Sequence, residues 1–215
     1  MKSEHFRKAL NYKIIPVVAI HNAEDAQPLA EALIRGGLPC AEITFRTEAA
    51  ARVIKTIAQR GDMVVGAGTV LKIEQVQLAV DAGATFLVTP GFNPKVVAYC
   101  MEHNIPVAPG ISTPTDIEMA LAFGLDIVKF FPAEAFGGLK TLKAMSAPYA
   151  AMRFIPTGGI GPDNLLGYLK HPKVAACGGS WMVKSELISQ GQFERITELT
   201  CDAVAIASRI NAVTN

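Results

Sequence analysis

The stretch Gly124-Leu125-Asp126-Ile127-Val128-Lys129-Phe130-Phe131-Pro132-Ala133 places a lysine among large apolar side chains. A short apolar run bounded by turn residues reads as a strand buried on both faces. Gly124 marks its start: it follows an alanine-rich helical stretch and suits the left-handed residue that ends a helix. Helix, glycine and apolar strand therefore succeed one another here. Burial strips water from an ammonium group and favours the neutral amine. A neutral amine can add to a ketone and form a Schiff base. The bland alternative is a lysine whose head reaches solvent or pairs with a carboxylate, because buried charges are usually paired.

The same alternation runs from end to end. Eight strands are expected, at 14–20, 40–45, 63–70, 86–89, 107–110, 127–131, 153–157 and 174–177. Helical patterns separate them, and one more follows the last. Asn93-Pro94, Thr113-Pro114 and Gly161-Pro162 each put a proline where a helix begins and its missing N–H costs nothing. Gly83 resembles Gly124 as a helix terminator. Ahead of the first strand, residues 3–12 read as an extra helix with Phe6 and Leu10 on one face. Near-continuous apolar strands alternating with helices indicate a parallel sheet covered on its outer face. Eight such units in 215 residues suggest one (β/α)8 barrel domain spanning 1–215. An open doubly wound sheet is the rival. Its dinucleotide-binding form would carry GxGxxG after the first strand, where this chain has His21-Asn22-Ala23-Glu24.

Composition narrows the function. Half of the residues are hydrophobic and 18% are charged, which excludes a disordered chain. A net charge of +1 without a basic stripe argues against nucleic acid as a partner. No apolar segment reaches the length of a membrane span, and the charged N-terminus lacks a signal-like stretch. A cytoplasmic protein is expected. Cys40, Cys100, Cys177 and Cys201 form no CxxC, and His5, His21, His103 and His171 show no ligand-like spacing. The cysteines are expected to be small buried residues in a reducing compartment. Neither a metal nor a cofactor is expected.

A repeated offset links distant strands. Gly37, Gly83 and Gly124 precede strands two, four and six, and Glu42, Val88 and Lys129 follow them at equal distance. Alternate strands of a barrel build one interior layer, so Glu42 and Lys129 are expected to share a layer. Residues two apart on a strand share a face, which groups Glu42 with Thr44 and Arg46. That segment fits an exposed strand or a structural ion pair. It fits equally a proton-transfer carboxylate with a guanidinium whose planar fork suits a substrate carboxylate.

Two glycine pairs stand at the ends of the last two strands, in Thr157-Gly158-Gly159-Ile160-Gly161 and Gly178-Gly179-Ser180. Barrel enzymes often bind phosphate there, where backbone N–H groups can approach an anion closely. Ser180 would add a hydroxyl. Gly66-Ala67-Gly68-Thr69-Val70 lacks the third glycine of a nucleotide loop, since Leu71 stands in its place. Its small residues either leave room at the barrel mouth, with Thr69 facing a ligand, or serve close strand packing.

Several segments now come together: Gly36-Gly37, Glu42-Ile43-Thr44-Phe45-Arg46-Thr47, Val65-Gly66-Ala67-Gly68-Thr69-Val70, Thr89-Pro90-Gly91 and Pro109-Gly110-Ile111-Ser112-Thr113. Lys129-Phe130-Phe131-Pro132-Ala133-Glu134, Pro156-Thr157-Gly158-Gly159-Ile160 and Gly178-Gly179-Ser180-Trp181 follow in order. Across nearly the whole chain they resemble the 2-keto-3-deoxy-6-phosphogluconate aldolase and 4-hydroxy-2-oxoglutarate aldolase family of class I aldolases. Phe45 stands where that family suggests leucine. The resemblance implies a metal-free homotrimer of barrels with Lys129 as Schiff-base lysine and Glu42 as general acid/base. It implies that Arg46, Thr69 and Pro90 line the pyruvate end, with Arg46 on the carboxylate. Thr157, Gly158, Gly159, Gly179 and Ser180 would hold the substrate chain and phosphate. The expected reaction yields pyruvate and glyceraldehyde 3-phosphate from the phosphorylated keto-deoxy sugar acid, and pyruvate and glyoxylate from 4-hydroxy-2-oxoglutarate. Two rivals are a non-covalent phosphate-barrel isomerase or transferase and a non-catalytic sugar-phosphate binding protein.

Overall fold

Pro94, Pro114 and Pro162 each open a helix, at α5 (Pro94–Glu102), α6 (Pro114–Ala122) and α8 (Pro162–Leu169). Polar side chains satisfy the N–H groups that such starts leave open. The Asn93 side chain accepts from Lys95 N–H at 3.1 Å. Thr113 and Asp116 form a reciprocal capping box, and the Asp116 carboxylate also accepts from Ser112 N–H at 2.9 Å. At the other ends, Gly37, Gly83 and Gly124 have φ of 82°, 101° and 73°, a region where a Cβ is costly. Each turns the chain out of a helix toward the next strand. The remaining helices are α1 (Lys2–Asn11), α2 (Ala26–Arg35), α3 (Ala50–Arg60), α4 (Ile73–Asp81), α7 (Gly138–Ser146), α9 (Ser185–Ser189) and α10 (Phe193–Ser208).

The computed structural model describes residues 2–210, and its strands run parallel in a closed ring. They are β1 (Ile14–Val18), β2 (Cys40–Thr44), β3 (Val64–Gly68), β4 (Leu87–Val88), β5 (Val107–Ala108 and Gly110–Ile111), β6 (Ile127–Phe130), β7 (Arg153–Pro156) and β8 (Cys177–Gly179). β1 to β5 pair in sequence order, and the second half of β5 pairs with β6 through Gly110 and Lys129. Pro109 interrupts β5 because it has no N–H to give the ladder, yet its carbonyl still accepts from Lys129 N–H at 2.9 Å. β6 pairs with β7, bridges at Phe154–Val174 and Thr157–Gly178 join β7 to β8, and β8 pairs with β1. The expected (β/α)8 barrel with an N-terminal helix is what the chain forms.

The register corrects one expectation. The sequence pattern puts the last strand at 174–177, with Gly178-Gly179 in a turn beyond it. Gly178 and Gly179 instead lie within β8, opposite Ile15 and Pro16, and of 174–177 only Cys177 joins the strand while Val174 makes an isolated bridge. Glycine's low strand propensity hid this. A Cβ at Gly178 would overlap the Thr157 hydroxyl, and one at Gly179 would overlap the Trp181 ring. The cysteines need a smaller correction. Cys40, Cys100 and Cys177 are buried but Cys201 is exposed, because α10 turns Ile196, Thr200, Ala203 and Ala207 to the core and leaves position 201 on the outer face.

One end of the barrel is closed. Phe86, just ahead of β4, fills the interior where a Cβ on Gly66 would overlap its ring. Phe6 of α1 stacks on Phe86 at 5.1 Å between centroids. Both rings are buried, so α1 covers the N-terminal ends of the strands. The opposite end carries the expected site residues, as in barrel enzymes generally.

Candidate active site

Lys129 and Glu42 meet inside the barrel. They come from β6 and β2, 87 residues apart, and Nζ lies 3.2 Å from Glu42 Oε1. Their side chains are 6% and 3% exposed. In parallel register Glu42 is flanked by Val17 and Gly66, and Lys129 by Gly110 and Ile155. Neither partner therefore has a charged strand neighbour. A buried pair of this kind is costly to break, at about 3–5 kcal/mol when one partner is removed. The Phe131 ring covers the amine, 5.1 Å from Nζ to its centroid. Gly68 provides the space for Glu42, since a Cβ there would overlap the carboxylate.

A cleft of about 190 Å³ opens beside this pair. It is lined by Arg46, Phe131, Thr157, Gly158, Gly159, Gly179 and Ser180 among others. Phe131 touches both regions, so the buried amine and the cleft adjoin. Arg46 sits just past the end of β2, exposed, and makes no ion pair among the described residues. Its Nε donates to Thr44 Oγ1 at 3.1 Å, and Thr44 Oγ1 donates to Val18 O at 2.7 Å. Thr157 N–H donates to Phe130 O at 3.0 Å, and Ala133 N–H to Thr157 O at 2.8 Å. These bonds continue the β6–β7 pairing beyond Lys129 into the glycine turn. Gly158 and Gly159 hold φ of 96° and 78°, which only glycine adopts without strain. Asn164 grips the turn from α8, donating to Gly159 O at 3.0 Å and accepting from Gly161 N–H at 2.9 Å. Ser180 is exposed and lines the cleft, and its hydroxyl makes no capping bond to the short turn that follows it.

Thr69 and Pro90 are not among the cleft-lining residues. They follow β3 and β4 at the same end of the barrel. Thr69 has φ 54°, an unusual conformation for a β-branched residue and one that tends to mark functional sites. Pro90 is set by Thr89, whose hydroxyl donates to Gly91 O at 2.7 Å and accepts from Gly110 N–H at 3.3 Å. The sequence pattern gives Thr44 no role beyond its strand face, and gives the small residues at Gly66–Gly68 only room at the mouth or close strand packing. A hydroxyl between two charges on one strand face was the available signal for Thr44. The smallness of Gly68 signals space but not its occupant, because Glu42 lies on another strand.

A buried lysine against a carboxylate, beside a glycine-rich cleft with an unpaired guanidinium at the C-terminal mouth of a (β/α)8 barrel, has the layout of an imine-forming lyase. Comparison with known proteins gives the family. The family model described as "KDPG and KHG aldolase" matches residues 6–199, and the chain belongs to that family. A 2-dehydro-3-deoxy-phosphogluconate aldolase of Treponema pallidum is 53% identical over 90% of this chain and 93% of its own length. The 2-keto-3-deoxy-6-phosphogluconate aldolase of Zymomonas mobilis, solved with 3-phosphoglycerate, superposes with a TM-score of 0.87 at 37% identity, covering 95% of each chain. The KDPG aldolase of Legionella pneumophila, solved with pyruvate captured as a covalent carbinolamine, gives 0.86 at 40% identity over 89% of this chain and 93% of that one.

Proposed function

We infer that this chain is a class I aldolase that cleaves 2-keto-3-deoxy-6-phosphogluconate to pyruvate and glyceraldehyde 3-phosphate, and 4-hydroxy-2-oxoglutarate to pyruvate and glyoxylate. The observation that carries this reading is the buried 3.2 Å contact between Lys129 Nζ and Glu42 Oε1 beside a cleft lined by Arg46, the Gly158-Gly159 turn and the glycines of β8. With the shared proton on Glu42, Lys129 is a neutral amine and its lone pair attacks the C2 ketone. Glu42 gives its proton to the departing C2 hydroxyl, water leaves, and a protonated imine remains beside a Glu42 carboxylate. Glu42 then takes the C4 hydroxyl proton, directly or through one water. The C3–C4 bond breaks, its electron pair passes to the imine nitrogen, and a pyruvate enamine remains. Return of a proton to C3 and hydrolysis release pyruvate and restore the amine.

In this reading Arg46 holds the substrate carboxylate, Thr69 and Pro90 flank the pyruvate end, and Thr157 contacts the chain. Gly158, Gly159, Gly179 and Ser180 receive the phosphate, and that remote binding holds C4 over the base. The enzyme needs no metal or cofactor, consists of one domain over 1–215, and works as a cytoplasmic homotrimer. Light scattering on the purified protein tests the trimer. Borohydride added with pyruvate tests the chemistry: the expected result is irreversible inactivation with the label on the peptide containing Lys129. Inactivation without label at Lys129, or an active enzyme that borohydride and pyruvate leave untouched, overturns it.

A further inference from the structure

We propose that Thr44 is a positioning residue for the Arg46 guanidinium, and so for the substrate carboxylate; this rests on the reading of Arg46 given above. Thr44 is 1% exposed and lies on β2, two residues from both Glu42 and Arg46. A hydroxyl has one proton and two lone pairs. Val18 O, on the neighbouring strand, can only accept, and it lies 2.7 Å from Thr44 Oγ1. The hydroxyl proton is therefore committed to Val18, and a lone pair is left facing Arg46. Nε–H of Arg46 can only donate, and it meets that lone pair at 3.1 Å.

The consequence is directional. Nε is the guanidinium nitrogen nearest the side-chain stem. Anchoring it fixes the plane of the group and leaves the terminal nitrogens for a ligand. Those nitrogens supply the two parallel N–H donors of a bidentate carboxylate contact. Among the described residues no carboxylate competes for them, and Arg46 lines the cleft. An unanchored arginine would lose several rotamers' worth of entropy on binding. Thr44 removes part of that cost beforehand by tying the group to a strand of the barrel wall. The chain Val18–Thr44–Arg46 thus couples the register of β1 and β2 to the orientation of the anion-binding group.

The test compares Thr44→Val, which keeps shape and loses the hydroxyl, with Thr44→Ser, which keeps it. Each is made in the parental protein and in an Arg46→Met background, and thermal unfolding checks that each folds. Pyruvate half-saturation of borohydride inactivation reads carboxylate binding. For Thr44→Val we expect half-saturation to rise ~5-fold, the worth of one such hydrogen bond, with the saturated trapping rate kept and Thr44→Ser near parental. In the Arg46→Met background Thr44→Val should add nothing further. An equal effect in both backgrounds, or parental half-saturation in Thr44→Val while Arg46→Met raises it, overturns the positioning role. Parental half-saturation in Arg46→Met itself removes the carboxylate reading of Arg46, and this inference with it.

Discussion

Gly68→Ala is the sharpest probe of how the barrel holds the buried Glu42 carboxylate. The Cβ it adds would stand 2.7 Å from both Cγ and Cδ of Glu42 and would overlap Oε1. Comfortable carbon–carbon contact begins near ~3.5 Å, so the side chain must retreat by roughly 1 Å. It has little freedom to do so, because Glu42 is 3% exposed and walled by neighbouring strands. The retreat stretches or breaks the 3.2 Å contact with Lys129. A displacement of about 1 Å at the reacting groups can cost ~10²-fold in rate, equivalent to ~2.7 kcal/mol of barrier. Overpacking should also lower stability by about 1–3 kcal/mol, a fall in Tm of roughly 3–10 °C for a chain of this size. The assay is kcat on 2-keto-3-deoxy-6-phosphogluconate beside the rate of pyruvate-dependent borohydride trapping. Turnover should fall ~10²-fold, while Lys129 still labels. Gly167→Ala is the control, since its Cβ meets only a leucine methyl at 3.9 Å; there turnover should be unchanged and Tm equal or higher. A folded Gly68→Ala protein with parental turnover would show that the position of Glu42 does not govern the reaction.

Further predictions follow from the same geometry. Glu42→Gln should lower turnover by ~10²–10⁴-fold with imine trapping at least partly retained; normal turnover would take Glu42 out of the mechanism. Ser180→Ala should raise half-saturation for the phosphorylated substrate by ~5-fold, the loss of one hydrogen bond to an anion, and leave pyruvate and glyoxylate unaffected; equal effects on all would refute the phosphate assignment. Burial pushes the Cys40 and Cys177 thiols up, and Cys100 up to about 11. At pH 8 those three stay protonated and enclosed. A thiol reagent should therefore titrate Cys201 alone in the native protein and all four cysteines in denaturant. Rapid native labelling of any second cysteine would contradict the buried assignments.

Much of the site was legible as residue types in an order. The alternation of apolar strands with proline-started, glycine-ended helices depends on local backbone preferences, and those are written into neighbouring residues. The shared offset of Glu42 and Lys129 from Gly37 and Gly124 was enough to put both in one layer, because the side-chain period of a strand is fixed. The glycine pair in β8 looks like a turn in sequence for the same reason: locally, Gly178-Gly179 has turn chemistry. Its place in a strand is decided by pairing with Ile15 and Pro16 of β1, and its glycines by Thr157 and Trp181, which occupy the space that Cβ atoms would need.

The sequence by itself determined the units of the barrel, their order, and the lysine, glutamate and arginine that face its mouth. These follow from periodicity and from residues whose conformational limits act within a few positions. Only the tertiary structure decided the contacts that make the site specific: Nζ against Oε1 across 87 residues, the Glu42 carboxylate in the space left by Gly68, Phe6 on Phe86 at the closed end, and Thr44 between Val18 and Arg46. Each depends on which strands become neighbours when the ring closes. That is a property of the whole packed chain, because no local preference records what will stand on the other side.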